Sequence, residues 1–358
     1  MDIIIFKTNK ELFIMKEKIA FVITKAEVGG AQTWVNQLKK ILEDQFIIYL
    51  IVSDHGWLQE QFDSDKVKII PQMGIILSIS SSIKIAKFLK KESIKVVISN
   101  SANAGIHSRL SKIFYNHKNI YVSHGWPCIY NGGRFKRIYC FIEKMLSIIT
   151  DSVLCVSNND KKNALDIIKI NPNKIVTIRN SVIPLKSKEN INLRKKFIFV
   201  GRLTHPKRPD LFLEAAKKNP SSDFYIIGDG PHKNTLQQSY SYLKNVFFLG
   251  EIKNFTDYLS YDVFILSSDS EGLPMSALEA ASAGLPMILS DVGGCHELIN
   301  SEKGNLNGFI FNNSIDDLDE KIKLIICNYQ YYYSNAQNIK KFFDIRNSRE
   351  KYVTLIKE

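Results

Sequence analysis

Asp262-Val-Phe-Ile-Leu-Ser267, then Glu271-Gly272-Leu273-Pro274-Met275-Ser276-Ala277-Leu278-Glu279, closed by Gly284-Leu285-Pro286, is the stretch that decides the fold. The apolar run reads as a strand and the glycine-containing segment as a tight loop. A short helix follows, with Pro274 suited to its first turn and Gly284 to the position past its end. A strand feeding a helix through a tight loop leaves free backbone N–H groups and the positive end of the helix dipole facing that loop. An anion fits there. Glu271 and Glu279, with seven residues between them, place a carboxylate on either side of that anion, where each can hold vicinal hydroxyls. This is the outline of a nucleotide-sugar pocket.

The same strand–helix alternation extends in both directions. In the first half, strands are predicted near 18–24, 46–52, 67–70, 95–99, 119–123 and 152–156, with helices near 31–43, 81–91, 102–113, 134–149 and 159–168. In the second half, strands are predicted near 197–201, 223–227, 246–249, 262–266, 287–290 and 308–311, with helices near 208–218, 233–241, 255–260, 275–283, 294–299 and 316–327. Repeated alternation implies parallel strands with crossover helices. The polar, irregular segment Ile183-Pro184-Leu185-Lys186-Ser187-Lys188-Glu189-Asn190 reads as the linker. The expected division is a first domain over 15–183, a second over 184–335, and a closing helix within 336–358 that packs back on the first. Two doubly wound domains joined in this way face each other across a cleft at the carboxyl ends of their strands, where such sheets bind ligands.

The bulk composition agrees. At 358 residues the chain is long enough for about two cores. With 45% hydrophobic and 23% charged residues it reads as an ordinary globular protein. No apolar run approaches the roughly 18–20 residues needed to span a bilayer. The opening Asp2-Ile3-Ile4-Ile5-Phe6 is too short and wrongly flanked for a secretion signal. Residues 1–14 read as an extension ahead of a fold beginning near Met15. Cys128, Cys140, Cys155, Cys295 and Cys327 have no metal-type spacing, and this odd, dispersed set points to reduced thiols in the cytosol. The net charge of +12 is uneven. Residues 1–183 carry 26 basic and 15 acidic side chains, whereas 184–358 carry 22 and 21. A basic half suits an anionic membrane surface, a pyrophosphate-linked acceptor or a plain solvated exterior. It lacks an aromatic or helical readout module, which argues against nucleic acid.

Several loops after strands carry the candidate ligand contacts. Val28-Gly29-Gly30-Ala31 opens a helix, and its glycines let backbone approach a phosphate closely. Alone it reads more readily as a tight strand–helix turn, and the third glycine of a dinucleotide fingerprint is missing. Gly228-Asp229-Gly230 has Lys233 where that fingerprint needs glycine, so a nicotinamide site fails there too. Gly201-Arg202-Leu203-Thr204-His205-Pro206-Lys207-Arg208 is not a Walker loop. Arg202 suits a diphosphate by its planar fork and Lys207 as a point charge, although exposed basic clusters are often solvent-facing. His124, in Ser123-His124-Gly125-Trp126, lies past a strand end before a glycine, which lifts it above a structural histidine. His55 and Asn103 read as loop residues. Asp63-Ser64-Asp65 has the form of a metal-binding acidic triplet but sits in a polar turn, and Asp316-Asp317-Leu318-Asp319 reads as a helix start. No Ser/His/Asp arrangement or Cys/His metal spacing appears.

Taken together, these segments resemble a retaining glycosyltransferase of family four, one of the group 1 glycosyl transferases with the GT-B fold. The resemblance covers about residues 19–311 and a closing helix. It is carried by Phe199-Val-Gly-Arg-Leu203 with Lys207 and Pro209, Tyr225-Ile-Ile-Gly-Asp-Gly-Pro231, Val246-Phe-Phe-Leu-Gly250, the two-glutamate segment, Ser290-Asp-Val-Gly-Gly294 and Glu297-Leu298-Ile299. The first half adds Gly29-Gly30-Ala31, His124-Gly125, Val156-Ser157-Asn158 and Asn180. The resemblance implies that Arg202 and Lys207 hold the donor diphosphate and that Glu271 accepts hydrogen bonds from the sugar. The backbone of Gly272, Leu273, Pro274 and Met275 would face sugar and phosphate, and Glu279 would hold the ribose. Glu251 and Ile252 would lie along the base, near Gly228. His124 and the Gly29-Gly30 loop would close over the donor. Gln32 stands where the family often has an acid, which bears on acceptor or helix-start contacts.

The resemblance implies a hexosyl- or N-acetylhexosaminyl-transferase, with UDP ahead of GDP in the donor. Its acceptor would be a glycan, lipid-linked, for an O-antigen, capsule or exopolysaccharide. It would act in the cytoplasm, at the inner face of the cell membrane. Cleaving a sugar–phosphate bond leaves an anionic diphosphate and a cation-like sugar. Preorganised Arg202, Lys207 and helix amides stabilise that anion. No paired carboxylates flank the sugar as a glycosidase requires. Retention then follows from front-side attack, with the leaving phosphate taking the acceptor proton, and no metal is required. A sugar-nucleotide epimerase on the same fold and a non-catalytic nucleotide-sugar-binding subunit are the competing readings.

Overall fold

Phe46-Ile-Ile-Tyr-Leu-Ile-Val52 has no polar face, and six of its seven residues are buried outright, Phe46 and the unbroken run from Ile48 to Val52. Strands of this kind belong in the middle of a sheet covered by helices on both sides. The computed structural model describes residues 16–130, 132–186, 192–299 and 305–358, and places this strand as β2 in such a sheet.

The first sheet contains β1 (Glu17–Ile23), β2 (Phe46–Val52), β3 (Val67–Ile69), β4 (Val96–Asn100), β5 (Lys118–Ser123), β6 (Ser152–Cys155) and β7 (Ile175–Thr177), in the order β3-β2-β1-β4-β5-β6-β7. The second contains β8 (Lys196–Val200), β9 (Asp223–Ile227), β10 (Val246–Gly250), β11 (Val263–Leu266), β12 (Met287–Ser290) and β13 (Gly308–Phe311), in the order β10-β9-β8-β11-β12-β13. Every pairing in both sheets is parallel. Both orders reverse direction after the first strand of the unit, which creates the crevice where doubly wound sheets take ligands. The predicted GT-B architecture, two doubly wound domains facing one another, is the one observed.

The first sheet is flanked by α1 (Gly30–Leu42), α2 (Ile79–Glu92), α3 (Ala102–Ser111), α4 (Pro127–Tyr130), α5 (Lys136–Ile148) and α6 (Asn158–Asn163). The second carries α7 (Pro209–Lys218), α8 (Lys233–Ser239), α9 (Met275–Ser282), α10 (Ile315–Cys327) and α11 (Tyr329–Ile339). The last helix, α12 (Arg349–Lys357), lies on α1: Tyr352 meets Trp34 edge-on at 6.0 Å, and Arg349 Nε donates to the Ile41 carbonyl at 2.9 Å. Phe343 and Ile345 pair with Val182, so the two chain crossings run side by side.

Three local differences from the sequence expectations have physical causes. The segment 255–260 forms only a 3₁₀ turn, Tyr258–Ser260. The Phe255 ring lies 4.9 Å from that of Tyr258 and 6.3 Å from that of Tyr261, so the segment folds tightly around its rings and a longer helix does not form. Segment 294–299 is likewise a 3₁₀ turn, Cys295–Leu298. Strand β7 is three half-buried residues, too short for a periodic signal. Residues 1–14 with Met15, and Ser187 to Asn190 of the linker, lie outside the described residues.

Candidate active site

The carboxyl ends of β10, β9, β8 and β11 lie side by side, and the loops leaving them form one cluster. After β8 the chain passes Arg202 and turns at Lys207. This turn is tied to the end of β11, because Asp269 N donates to the Pro206 carbonyl at 2.8 Å and Ser267 Oγ to the Arg208 carbonyl at 2.8 Å. These ties aim Lys207 at the next loop, where its Nζ donates to Glu271 Oε1 at 2.6 Å. Glu271 is only 10% exposed, so the pair is held close and largely out of water. A short, charge-assisted bond of this type fixes both groups in one geometry.

The Glu271 loop rests on a glycine turn. Gly294 N donates to the Gly272 carbonyl at 2.7 Å, and a Cβ on Gly293 would overlap the Glu271 carbonyl. Gly293 also has φ near 55°, in the left-handed region where glycine carries no penalty. Pro274 then starts α9, whose first amides have no intrahelical acceptor. One turn inside the helix, Glu279 accepts from the Tyr258 hydroxyl at 3.0 Å. Burial raises the Glu279 carboxyl to about 7, and the Tyr258 bond only partly opposes this rise.

The first domain brings the opposite edge. Gly30 lies after β1, where a Cβ would sit 3.5 Å from Met275 Cγ. Beyond β5, the carbonyl of His124 and the amide of Gly125 lie against Gly272, so close that a Cβ on Gly272 would stand 2.6 and 2.7 Å from them. Asn180 Nδ2 reaches the Leu273 carbonyl at 3.4 Å and Met275 Sδ at 3.1 Å. The His124 ring packs edge-on against Trp34 at 5.1 Å, and its Nε2 lies 2.8 Å from Asn100 Oδ1. Asn100 Nδ2 donates to the Ile98 carbonyl, which turns Oδ1 toward the histidine. Nε2 therefore carries the proton and Nδ1 is left as an acceptor. Burial lowers His124 to about 4, so the ring is neutral at physiological pH. Beneath this turn, burial raises Asp160 to about 7, against the opposing pull of the Ser157 hydroxyl and the Gly125 amide.

The structure therefore brings Gly30, His124, Gly272, Leu273 and Met275 into one interdomain contact, with the Lys207–Glu271 pair and Pro274 beside it on the second domain and Glu279 a turn behind. Arg202 turns differently: it is 64% exposed, and its Nη1 reaches Glu27 Oε1 across the cleft at 3.3 Å. Gly228 supports the Arg202 loop, with Gly201 N bonded to the Ile227 carbonyl beside it. Gly29 caps α1 in an extended conformation, and Glu251 and Ile252 are exposed after β10. Asp63 pairs with Lys66 at 2.6 Å on the surface, in keeping with a polar turn. Among the described residues, no group of three or more His, Cys, Asp or Glu side chains is arranged to hold a metal, and no helix is long and apolar enough to cross a membrane. All five cysteines are unpaired.

Tyr258, Asn100, Glu27 and Glu297 were not singled out in the sequence as cleft residues. Glu297 is the most telling, because its carboxylate accepts from the Asn158 and Asn159 amides at 3.1 and 3.0 Å, capping α6 of the other domain. Two open depressions of about 650 and 530 Å³ lie elsewhere. The larger is lined by Lys95, Lys118, Ser152 and Val176, near the amino ends of the first sheet's strands, the end opposite to where such sheets bind ligands.

Comparison with known proteins agrees with this geometry. Residues 184–342 match the family model for glycosyl transferases group 1, and residues 28–184 match that for glycosyltransferase family 4. The O-antigen biosynthesis glycosyltransferase WbnH of Escherichia coli is 43% identical over 340 residues, covering 95% of this chain and 99% of that protein. UDP-Gal:alpha-D-GlcNAc-diphosphoundecaprenol alpha-1,3-galactosyltransferase, also of Escherichia coli, is 30% identical over 352 residues, covering 87% of each. Among solved structures, Anabaena Alr3699/HepE in complex with UDP and glucose aligns with a TM-score of 0.79, at 16% identity, covering 94% of this chain and 98% of that one. That last likeness is one of fold.

Proposed function

The chain belongs to the group 1 glycosyl transferases, and from that premise we propose that it transfers one sugar, with retention, from a UDP-sugar to a lipid-linked glycan in O-antigen biosynthesis. The observation that carries the reading is the Lys207–Glu271 pair at 2.6 Å, set at the start of α9 with Glu279 one turn inside it. The O-antigen role draws support from the 43% identical relative, and the UDP-sugar and diphospholipid acceptor from the 30% identical one.

In this reading the donor diphosphate lies against the α9 amides, with Lys207 and Arg202 offsetting the charge that grows as the sugar–phosphate bond breaks. Arg202 leaves Glu27 to do so. An exposed pair of this kind contributes at most about 1 kcal/mol, so the exchange costs little. Glu271 holds sugar hydroxyls while Lys207 keeps it oriented. Glu279 holds the ribose hydroxyls, and Gly228, Glu251 and Ile252 border the base. His124, neutral and anchored by Asn100, offers Nδ1 as a hydrogen-bond acceptor on the acceptor side. The acceptor oxygen attacks from the face the diphosphate is leaving, and the departing phosphate oxygen takes its proton. The chemistry needs no metal.

The test uses purified protein with a panel of UDP- and GDP-sugars and a diphosphoundecaprenol-linked acceptor. Product is read by mass spectrometry and its anomeric configuration by NMR. An α-linked product from an α-linked UDP-sugar, formed equally well with chelator present, is expected. An inverted product, a chelator-sensitive rate or a covalent sugar on Glu271 would overturn the mechanism. Free or epimerised sugar formed without acceptor would overturn the transfer.

A further inference from the structure

Helix α5 is built inside out. Its buried residues are Cys140, Glu143 and Ser147, a polar and small-residue face. Its outward face carries Ile138, Phe141, Ile142, Met145 and Ile148, spaced by three and four so that they form one stripe. Phe141 is 61% exposed and Ile148 62%. The reversal has a visible cause. Arg109 of α3 is fully buried, stacks 4.2 Å from the Tyr121 ring centroid and donates from Nη1 to Glu143 Oε2 at 3.0 Å. That ion pair requires the polar side of α5 to face inward, and the apolar side is left outward. Ile113, beyond the end of α3, is 72% exposed and borders the same groove as Ile148 and Ile149, which extends the stripe. Singly exposed apolar residues are ordinary, but a continuous stripe of this size marks a surface that meets an apolar phase.

The charge around the stripe identifies that phase. Arg134, Arg137 and Lys144 border it, the one acid within α5 is Glu143, already turned inward against Arg109, and Asp151, which lines the groove beside Ile113, is paired with Lys112. The exposed surface of α5 is therefore apolar with a basic edge and no acid. A second copy of this chain would place one cationic edge against another, since a two-fold contact pairs the same patch with itself. A bilayer with anionic headgroups satisfies both halves of the pattern at once: the stripe enters the acyl boundary and the basic edge meets the headgroups. The turn carrying His124 opens α4, and α5 follows within a few residues after the Gly133–Phe135 turn, so the surface and the acceptor side of the cleft are close in the chain.

We propose that the outward face of α5, with Ile113 beside it, lies in the plane of an anionic membrane and delivers the cleft to a lipid-borne acceptor. The claim rests on the reading of the acceptor as lipid-linked and gives that reading a location.

Flotation of the purified full chain with vesicles tests it. Binding is expected to vesicles rich in phosphatidylglycerol, to weaken as salt rises, and to be weak with phosphatidylcholine alone. Phe141→Ser combined with Met145→Ser should lower partition into anionic vesicles at least about tenfold. Arg137→Glu with Lys144→Glu should lower it at least about tenfold, because two attractive charges become repulsive. Phe141→Trp, in an otherwise unchanged chain, should show blue-shifted emission on adding anionic vesicles, which reads insertion even if the serine variant folds poorly. Full-chain protein that stays with the buffer, variants that float like the parent, or an unshifted tryptophan would overturn the proposal. So would a dimer in solution that Phe141→Ser with Met145→Ser dissolves, since a second copy would then own the face. Turnover on a detergent-dispersed acceptor is measured alongside. Its persistence while vesicle binding fails would overturn only the membrane face, and its absence while binding holds would overturn only the transfer.

Discussion

At the carboxyl end of the second sheet, Arg202, Lys207, Glu271 and Glu279 lie on loops from neighbouring strands or on the helix that follows them; at the same end of the first sheet stand Gly30, Asn100, a neutral His124 and Gly125. The two sheets share a doubly wound order, yet one edge is charged and the other is shaped. The contrast assigns separate tasks. In the proposed mechanism, the formal charge that answers the leaving diphosphate is held on one body, where Lys207 and Glu271 already sit at 2.6 Å. The other body contributes close backbone approach, an uncharged ring and one exposed carboxylate, Glu27, which pairs with Arg202 across the cleft at 3.3 Å. An exposed pair of that kind holds the two halves together only weakly, so closure depends mostly on shape.

The comparison breaks most sharply at Lys207 and Glu271. Lys207→Ala or Glu271→Ala should each cut turnover at least about a hundredfold, the usual loss for a preorganised transition-state contact. Asn100→Ala, which only frees the His124 ring, should cost clearly less. Steady-state rates with saturating donor decide the matter, and an equal loss at Asn100 would end the division of labour between the halves.

Gly272→Ala tests the shaped edge. Its Cβ would stand within 2.7 Å of both the His124 carbonyl and the Gly125 amide, and neither is a flexible side chain that can move aside. The domains must part, and a small misplacement of the edge should lower turnover at least about tenfold. Thermal unfolding of each domain should change little, because the strain is relieved by opening. A variant with normal turnover would show that the two loops need not touch during catalysis.

Glu279 sharpens the charged side through pH. Burial raises its carboxyl to about 7, so between pH 6 and 8 its ionised share climbs from about one tenth to about nine tenths. If the carboxylate holds the ribose, donor affinity should strengthen about tenfold over that range. Stability of the free protein moves the other way. A carboxyl whose value rises on folding binds its proton more tightly in the folded chain, so its contribution falls as pH rises from the unfolded range up through about 7. Tyr258→Phe removes the one bond that lowers Glu279 and should shift the affinity midpoint upward. Titration calorimetry with UDP across pH reads both changes. A flat affinity profile would take Glu279 out of ribose binding.

Much of the charged edge is legible in sequence because its parts are local. Glu271, Gly272, Pro274 and Glu279 fall within nine consecutive residues, and a strand, a turn and a helix start explain each of them. Strand existence is legible for the same reason, since runs such as Phe46–Val52 carry their own burial pattern. The shaped edge is different. Asn100 matters only because β4 lies between β1 and β5, and Tyr258 only because the tight fold of its segment turns its hydroxyl toward Glu279. Glu27 precedes Gly29-Gly30 by two residues, yet only the facing Arg202 gives it a role. The reversed burial of α5 was equally hidden: its apolar spacing reads as a core-facing helix, and only the Arg109–Glu143 pair turns it round.

Glu297 offers the smallest and most specific test of how the two edges meet. It belongs to the second domain but accepts from the first amides of α6 in the first domain, at 3.1 and 3.0 Å, and Arg179 donates to its backbone carbonyl at 2.7 Å. A carboxylate at a helix N-terminus satisfies amides that have no partner within the helix and interacts favourably with the dipole. Here the cap comes from the opposite body, so it forms only when the cleft is closed at this point. Glu297→Ala should therefore cost about 1 kcal/mol, the size of a lost helix cap, and the loss should appear in domain closure more than in the unfolding of either domain. Small-angle scattering should show a more open average shape for the variant, and saturating donor should restore the compact one. A variant as compact as the parent without donor would mean that closure rests on the other contacts between the halves, among them the glycine contact, Asn180, Arg202 with Glu27 and Trp57 with Asn254, and that the charge at Glu297 serves α6 locally.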